Sequence, residues 1–213
     1  MKVIMKKIKK FEYIQKGSDL YRDNRGDIQN YKLTEKINLV ATITSKPNTL
    51  RSNHYHPIQQ QKCLLVSGQY ISIYKDLKKK NSSRITHVVN KGDLVVTEPL
   101  VAHTMVFTKN SIFLNLVNGE REHKNYGKTH TIPIKLISNS EKNFLFNNYK
   151  FVCRICNKNE FTRVISLGFQ PLANNLYKNK NFEKKYPLEV NLCKNCSNLQ
   201  LSIIPDFKLL FSN

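Results

Sequence analysis

The stretch that decides the fold of the first part of the chain is RSNHYHPIQQQKCLLVSG, residues 51–68. It places His54 and His56 two positions apart at the entry to a strand, where side chains at i and i+2 point to the same face. Gln61 follows within the same stretch, and His103 lies further along the chain. The two neighbouring imidazoles can converge on one point inside a closed β fold, and the third can join them there.

This histidine pattern has two interpretations. Three imidazoles and the side-chain oxygen of Gln61 form a ligand set for a divalent metal, so a second metal ion at His54, His56 and His103 is one prediction. A neutral amide is a weaker ligand for a hard dication than a carboxylate. The other interpretation is a set of histidines at strand ends with no chemical role. The spacing favours a functional pocket.

Residues 20–137 read as a series of short strands rich in β-branched and aromatic residues. Gly, Pro, Asn and Ser bound them, and several recur at a spacing of about 8–12 residues. No apolar period of 3.6 residues is present in this part. The predicted strands are residues 38–44, 62–66, 70–74, 85–89, 94–97, 104–107 and 112–117. The predicted fold class is mainly β, an antiparallel sandwich or barrel.

Composition narrows the functional class. The 213 residues carry 40% hydrophobic and 23% charged side chains, which is enough apolar material for a core. No apolar run approaches the ~20 residues of a membrane-spanning helix. The N-terminus, MKVIMKKIKKFEYI, lacks the apolar segment of a secretory signal. We therefore expect a cytoplasmic protein without a membrane partner.

The net charge of +20 raises nucleic acid as a partner. The lysines, however, are scattered over the chain, often beside asparagine, and arginine is much scarcer than lysine. A genome rich in A and T codons would produce the same excess, so nucleic acid is the less favoured partner. Attraction of an anionic sugar nucleotide is a milder role for the same charge.

At the histidines the sequence resembles the cupin superfamily. The positions that match its two motifs are His54, His56, Gln61 and Gly68 in the first and Gly92, Pro99 and His103 in the second. Gln61 stands where the family has Glu, and Leu100 stands where many members have Gly. The resemblance implies a jelly-roll barrel for residues 1–137.

A narrower resemblance is to the sugar-nucleotide cupins related to dTDP-4-dehydrorhamnose 3,5-epimerase. Arg25-Gly26-Asp27 and Arg51-Ser52-Asn53-His54-Tyr55 look like two of their motifs, with Ser52 in place of a Gly. The resemblance implies His54 as the catalytic base next to a 4-keto group and Tyr126 as the acid. It also implies a substrate-binding set of Arg51, His56, Gln61 and His103.

The second part of the chain contains two Cys-x-x-Cys pairs, Cys153 with Cys156 and Cys193 with Cys196. Two such turns supply four thiolates for a tetrahedral Zn²⁺ at about 2.3 Å, so we predict a structural zinc site. A redox role would need one pair at a helix N-terminus, and two pairs would be redundant. Cys63 is left over as a buried, small apolar residue.

Around these cysteines the sequence resembles the N-terminal zinc-binding domain of sugar C-methyltransferases. The resemblance is carried by both pairs and by SLGFQPLANN, residues 166–175, and it spans residues 150–213. We predict a linker at residues 138–149. No Gly-rich fingerprint of an S-adenosylmethionine-binding domain is present, so we do not expect a complete methyltransferase.

Both resemblances imply keto-deoxysugar nucleotides. The predicted function is therefore in deoxysugar or surface-polysaccharide biosynthesis, with a cupin that binds, and epimerises or isomerises, a nucleotide-linked 4-keto sugar. A sugar-binding scaffold that docks a separate methyltransferase domain is the first alternative. A metal-dependent cupin acting on another small molecule is the second. The cupin resemblance also implies a homodimer.

Overall fold

The computed structural model describes residues 12–33, 36–118, 131–172 and 185–211. The elements of these residues, in chain order, are β1 (Glu12–Lys16), β2 (Ser18–Asp23), β3 (Gly26–Asn30), β4 (Leu39–Ser45), β5 (Leu50–Tyr55), β6 (Gln61–Ser67), β7 (Gln69–Asp76), β8 (Ile85–Asn90), β9 (Asp93–Thr97), β10 (Val101–Phe107), β11 (Ser111–Val117), β12 (Ile132–Pro133), α1 (Asn139–Asn148), β13 (Phe161–Pro171), β14 (Lys185–Cys193), β15 (Leu199–Leu201) and α2 (Phe207–Phe211). Neither described helix has the length and apolar character needed to cross a membrane.

Two five-stranded antiparallel sheets enclose the core of the N-terminal domain. Sheet I has the order β1-β9-β6-β11-β4, and sheet II has the order β12-β5-β10-β7-β8. Few neighbours in either sheet are consecutive in the chain, which is the crossing connectivity of a jelly roll. The predicted class, mainly β with a jelly-roll barrel followed by a small cysteine-containing domain, is confirmed.

The barrel core lies between the two sheets. Its members come from both of them and are Cys63, Leu65, Tyr70, Val89, Val95, Met105, Phe107 and Phe113. Full burial of one such side chain stabilises the fold by about 1.5–3 kcal/mol. Each of the seven predicted strands corresponds to an observed one, β4 or one of β6–β11, because alternating or β-rich runs were bounded there by clear turn residues.

Gly68 shows why one of these turns needs glycine. Its φ is +94°, and a Cβ at this position would lie 2.1 Å from Ser111 Oγ and 2.4 Å from the Asn110 carbonyl oxygen. The residue therefore lets β6 turn directly into β7 while the start of β11 passes close by.

Residues 138–149, expected to be a linker, form helix α1. Ser138 caps the helix, and a reciprocal pair of hydrogen bonds with Glu141 makes a capping box. Leu145 is 1% exposed and joins a second core on the outer face of sheet II, together with Ile71 and Ile73. The segment looks polar in sequence because only a narrow stripe of it is buried.

The C-terminal domain is a three-stranded sheet, β13-β14-β15, that packs on the same outer face. Phe169 and Ile203 belong to the core that contains Leu145. The guanidinium of Arg84 lies 3.9 Å from the ring centre of Phe169, and its Nη1 donates to Glu141 at 2.8 Å. The two domains therefore share one hydrophobic core and are packed against each other.

β13 and β14 are the longest strands among the described residues, with 11 and 9 residues. The register between these strands shifts between Arg163 and Ile165 and again between Ser166 and Phe169. Such bulges break the alternation of apolar and polar residues on which strand prediction depends.

Candidate active site and candidate metal centre

Three buried histidines meet inside the barrel. His54 on β5 is directly opposite His103 on β10 in the strand register, and His56 follows the end of β5. The ring centre of His54 lies 4.8 Å from the ring centre of His56 and 4.8 Å from that of His103. The ring centres of His56 and His103 are 5.4 Å apart. All three side chains are less than 9% exposed. The structure thus brings together the three imidazoles singled out in the sequence.

Two backbone features place the ring of His56 beside those of His54 and His103. The register between β10 and β5 shifts between His103 and Thr104, which turns the end of β5 inward. The N–H of Leu100 donates to the carbonyl oxygen of His56 at 2.8 Å, so the turn before β10 holds the segment after β5. Neither feature is visible in the sequence, since each depends on strand pairing.

The tautomer of His103 follows from its hydrogen bond. Its Nδ1 lies 3.2 Å from the carbonyl oxygen of Val101, which can only accept, so Nδ1 carries the proton. The buried Nε2 then presents a lone pair, and it has no hydrogen-bond partner among the described residues. Burial, reinforced by the nearby His56, lowers the pKa of His103 to about 3. This imidazole is therefore neutral at physiological pH.

The donor set can be tested against a metal ion. One ring nitrogen from each of the three histidines lies within 4.8 Å of the others, and no acidic residue of the described chain joins them. A backbone carbonyl on the far nitrogen is the usual support for a metal-binding imidazole, and His103 has one. The residues fit a divalent ion that accepts nitrogen ligands, such as Zn²⁺, better than a hard, oxygen-seeking ion such as Mg²⁺.

One cavity lies beside His54, and a second cavity shares part of its wall. The inner one, of about 180 Å³, is lined by His54 and Gln61, and the buried Oε1 of Gln61 has no hydrogen-bond partner among the described residues. The outer one, of about 720 Å³, is lined by Lys46 and by several hydroxyl side chains. Leu50 and Arg51 line both, so they mark the junction.

Arg51 spans the gap between the two sheets at this junction. Its Nε donates to Ser45 Oγ at 2.6 Å, and its Nη2 donates to the carbonyl oxygen of Thr44 at 2.7 Å. Its Nη1 makes no hydrogen bond within the described chain, and the residue is exposed. The guanidinium is therefore fixed by sheet I while one of its nitrogens remains available.

Other predicted residues lie elsewhere. Arg25 is on the exposed β2–β3 hairpin and bonds to Asp23, with Nη2 to Oδ2 at 2.6 Å. Tyr126 and the whole segment 173–184 fall outside the described residues. Among the residues around the cavities, sequence reasoning missed Ser45, whose role depends on its distance to Arg51 rather than on any motif.

Two positions where cupins have glycine adopt glycine-like backbone conformations here. Ser52 has φ of +73° and Leu100 has φ of +64°, both in the left-handed region. A residue with a Cβ pays roughly 1–2 kcal/mol there. The backbone next to the histidines thus keeps its shape at the expense of local strain.

The four cysteines form a second cluster at the tips of two turns. Cys153 Sγ lies 3.6 Å from Cys196 Sγ, and Cys156 Sγ lies 3.5 Å from Cys193 Sγ. A tetrahedral zinc with bonds of about 2.3 Å requires sulfur atoms about 3.8 Å apart. The spacing therefore fits a structural zinc site with four protein ligands.

The two turns have the same backbone geometry. In each, the first cysteine accepts on its carbonyl from the residue four positions later, Asn157 or Ser197, and both of these residues have positive φ. The N–H of Cys156 points at the sulfur of Cys153 and, with that of Ile155, outweighs burial and lowers the pKa of the Cys153 thiol to about 6. Donors aimed at sulfur favour the thiolate that a metal needs.

The fold and these two clusters define a jelly-roll barrel joined to a small domain that carries four clustered cysteines. Residues 153–211 match the family model described as "Putative zinc binding domain", which confirms the domain predicted at the C-terminal cysteines. No curated protein matches the sequence.

Several solved structures are similar to the chain. One is the 3,4-ketoisomerase QdtA from Thermoanaerobacterium thermosaccharolyticum, solved with TDP-4-keto-6-deoxyglucose: 16% identity, TM-score 0.48, 57% of this chain and 86% of that one. A 3,4-ketoisomerase from Helicobacter canadensis has 18% identity, TM-score 0.47, and coverage of 64% and 98%. The dTDP-4-dehydrorhamnose 3,5-epimerase from Sulfolobus tokodaii has 13% identity, TM-score 0.48, and coverage of 60% and 84%. Likeness of this degree assigns no activity to this chain.

Proposed function

We propose that the barrel binds a nucleotide-linked 4-keto sugar and moves a proton at a carbon beside its keto group, as an epimerase or isomerase does. The observation that carries this proposal is that Leu50 and Arg51 line both cavities. The inner cavity, against His54, has the size for a sugar ring. The outer cavity has room for a nucleotide.

The charges support this placement. A diphosphate at the junction would meet the available Nη1 of Arg51, and the ammonium of Lys46 is close by in the outer cavity. A guanidinium held rigidly by two hydrogen bonds suits phosphate recognition, because less side-chain freedom is lost on binding. The hydroxyls of Ser45, Thr49 and Ser111 supply further neutral contacts there.

The proposed chemistry needs one base. A neutral His54 takes a proton from the carbon next to the keto group. The electron pair of the broken C–H bond forms a carbon–carbon double bond, and the carbonyl π pair moves to oxygen. Return of a proton to the opposite face of that carbon, with re-formation of the carbonyl, gives an epimer. Where that carbon carries a hydroxyl group, delivery of the proton to the former carbonyl carbon gives a keto isomer: the hydroxyl O–H bond breaks, its electron pair forms the new C=O, and its proton goes to the oxygen of the former carbonyl, which becomes the hydroxyl. A buried imidazole is suited to this step near neutral pH. Tyr126 stays the proposed acid.

A second candidate function is a metal-dependent reaction on another small molecule. The specific observation in its favour is the lone pair of His103 Nε2, which is buried inside the barrel beside the other two rings. It requires a second metal per chain in addition to the one at the four cysteines.

Binding provides the first experiment. Calorimetry with TDP as the probe should show binding that Arg51→Ala weakens by about tenfold or more, since a charge-assisted contact contributes about 1.5–3 kcal/mol. Arg25→Ala, which removes an exposed arginine of the hairpin, is the matched control and should bind normally. Arg51→Lys keeps the charge but loses the planar, multiply donating guanidinium, so its affinity for TDP should lie between those of Arg51→Ala and Arg25→Ala. Equal binding by all variants would contradict the proposal.

A further inference from the structure

A third cavity, of about 240 Å³, lies at the seam between the two domains. It is lined by β8 of the barrel on one side and by β13 and β14 of the C-terminal sheet on the other. It shares no lining residue with the two barrel cavities described above. Its volume equals that of about eight water molecules, at about 30 Å³ each, which suits one small ring rather than a nucleotide.

The buried carboxylate in this cavity is already paired. The Glu189 carboxylate, 2% exposed, accepts from Thr86 Oγ1 and lies 3.1 Å from both Arg163 Nη1 and Ser202 Oγ. Arg163 also donates to the Thr86 carbonyl oxygen and, through Nη2, to His87 Nδ1 at 3.3 Å. A charged ligand beside this pair would lose its hydration without gaining an unpaired opposite charge, because Arg163 and Glu189 already neutralise each other. The part of the site around this pair therefore favours a neutral ligand, and the half-buried Lys150 is the one lining charge outside the pair.

The remaining lining is amide and aromatic. Four side-chain amides line the cavity, those of Gln69, Asn90, Asn159 and Asn191. Gln69 Nε2 donates to Asn90 Oδ1 at 2.8 Å, and Gln69 Oε1 accepts from Thr108 Oγ1 at 3.0 Å, so these two amides are partly used within the barrel. The amides of Asn159 and Asn191 therefore carry most of the donors and acceptors for a ligand. Hydroxyl groups are the complementary chemistry, because each of them also donates and accepts. The rings of Phe151 and Phe161 supply apolar surface on which the C–H face of a saccharide can pack. Lys150, which also lines the cavity, adds a donor for a hydroxyl oxygen.

We propose that this seam cavity binds a neutral saccharide ring, at a site separate from the barrel. Because both domains contribute to the cavity, the bound ring contacts both of them and stabilises their association. The inference does not depend on the function proposed for the barrel, since the two sites share no residue.

Saturation-transfer NMR on the full chain with methyl α-D-glucopyranoside and methyl α-L-rhamnopyranoside as probes tests the inference. We expect transfer to at least one glycoside. Asn191→Ala should weaken its binding about two- to tenfold, as loss of one hydrogen bond does. Asn139→Ala, at an exposed position of α1, is the matched control and should leave it unchanged. If Asn191→Ala does not fold, Asn159→Ala, in an exposed irregular segment, replaces it.

Two further arms separate this cavity from its alternatives. Saturating TDP should not displace the glycoside, and displacement would place the ring in the barrel and overturn the inference. D-glucuronate should bind more weakly than the neutral glycosides, and tighter binding would show an anion site instead. The inference would also be overturned if neither glycoside showed saturation transfer, or if the Asn191 and Asn159 variants bound the glycoside as tightly as the unmodified chain.

Discussion

The cysteine cluster and the histidine cluster reach similar compactness by different means. Each cysteine turn is local: two ligands, the N–H groups that face a sulfur and a positive-φ residue all lie within a few positions. The histidine cluster joins His54 and His56 to His103 through strand pairing across sheet II, with a register shift that depends on the whole barrel. Each cysteine turn is therefore specified by a short stretch of sequence, whereas the histidine cluster depends on the fold of the whole barrel.

The largest expected effect concerns the local cluster. Cys153→Ser should abolish metal binding and unfold the C-terminal domain, because structural zinc contributes on the order of 10 kcal/mol to such small domains. Cys63→Ala, which removes the remaining cysteine from the barrel, should keep the metal. Metal content by mass spectrometry and thermal unfolding measure both. Retention of one zinc per chain in Cys153→Ser would show that the four thiolates do not hold it.

A smaller effect tests whether the two clusters sit in one cooperative unit. Glu189→Ala removes the buried carboxylate that Arg163 and Thr86 contact across the seam, and loss of one partner from a buried pair costs about 3–5 kcal/mol. Chemical denaturation should show the whole chain destabilised in a single transition. The control is Glu160→Ala at an exposed position. Separate transitions for the two domains in the unmodified chain would break this expectation.

The next effect concerns pH and the nonlocal cluster. The folded pKa of His103, about 3, lies below its unfolded value of about 6.5, so between these values the unfolded chain binds the extra proton. Stability from this residue is intact above pH 6.5 and falls with acidification, by about 2 kcal/mol at pH 5. Urea unfolding of the wild type and of His103→Gln at pH 7 and pH 5 checks this. Equal losses in both proteins would remove His103 as the cause.

The smallest effect concerns the strained backbone beside the histidines. Ser52→Gly relieves a positive φ and should stabilise the chain by about 0.5–1 kcal/mol, after the greater freedom of glycine in the unfolded state is subtracted. Ser83→Gly, in an exposed segment without positive φ, should be neutral or destabilising. Denaturation midpoints distinguish them, and a destabilised Ser52→Gly would show that the serine side chain matters more than the strain.

These contrasts also explain what could be predicted from the sequence. The barrel strands, the three histidines and the four cysteines were predictable, because alternation, a His-x-His unit and Cys-x-x-Cys pairs are short-range signals. Helix α1 was taken for a linker because only Leu145 is fully buried along it. The bulged β13 and the polar seam around Glu189 were missed, since both depend on contacts between residues far apart in the chain.

The hydrogen bond from Arg51 to Ser45, like the polar contacts of the seam, joins residues whose contact the sequence does not reveal. Each residue is ordinary in sequence, and their 2.6 Å contact appears only when β4 of sheet I meets β5 of sheet II. Side-chain function that rests on such contacts has no sequence signature of its own. The resemblance to sugar-nucleotide cupins could therefore suggest Arg51 as an anchor but not the way in which it is held.

Hydrogen exchange at the sugar carbon addresses the account most directly. Incubation of the protein with TDP-4-keto-6-deoxyglucose in D₂O should place deuterium on the carbon next to the keto group, detected by mass spectrometry and NMR. His54→Asn should slow that incorporation by about 100- to 10,000-fold, the usual contribution of a general base, while it still binds TDP. Tight binding of the sugar nucleotide to the wild type without any deuterium in the sugar would contradict catalysis by His54 and leave a protein that only binds.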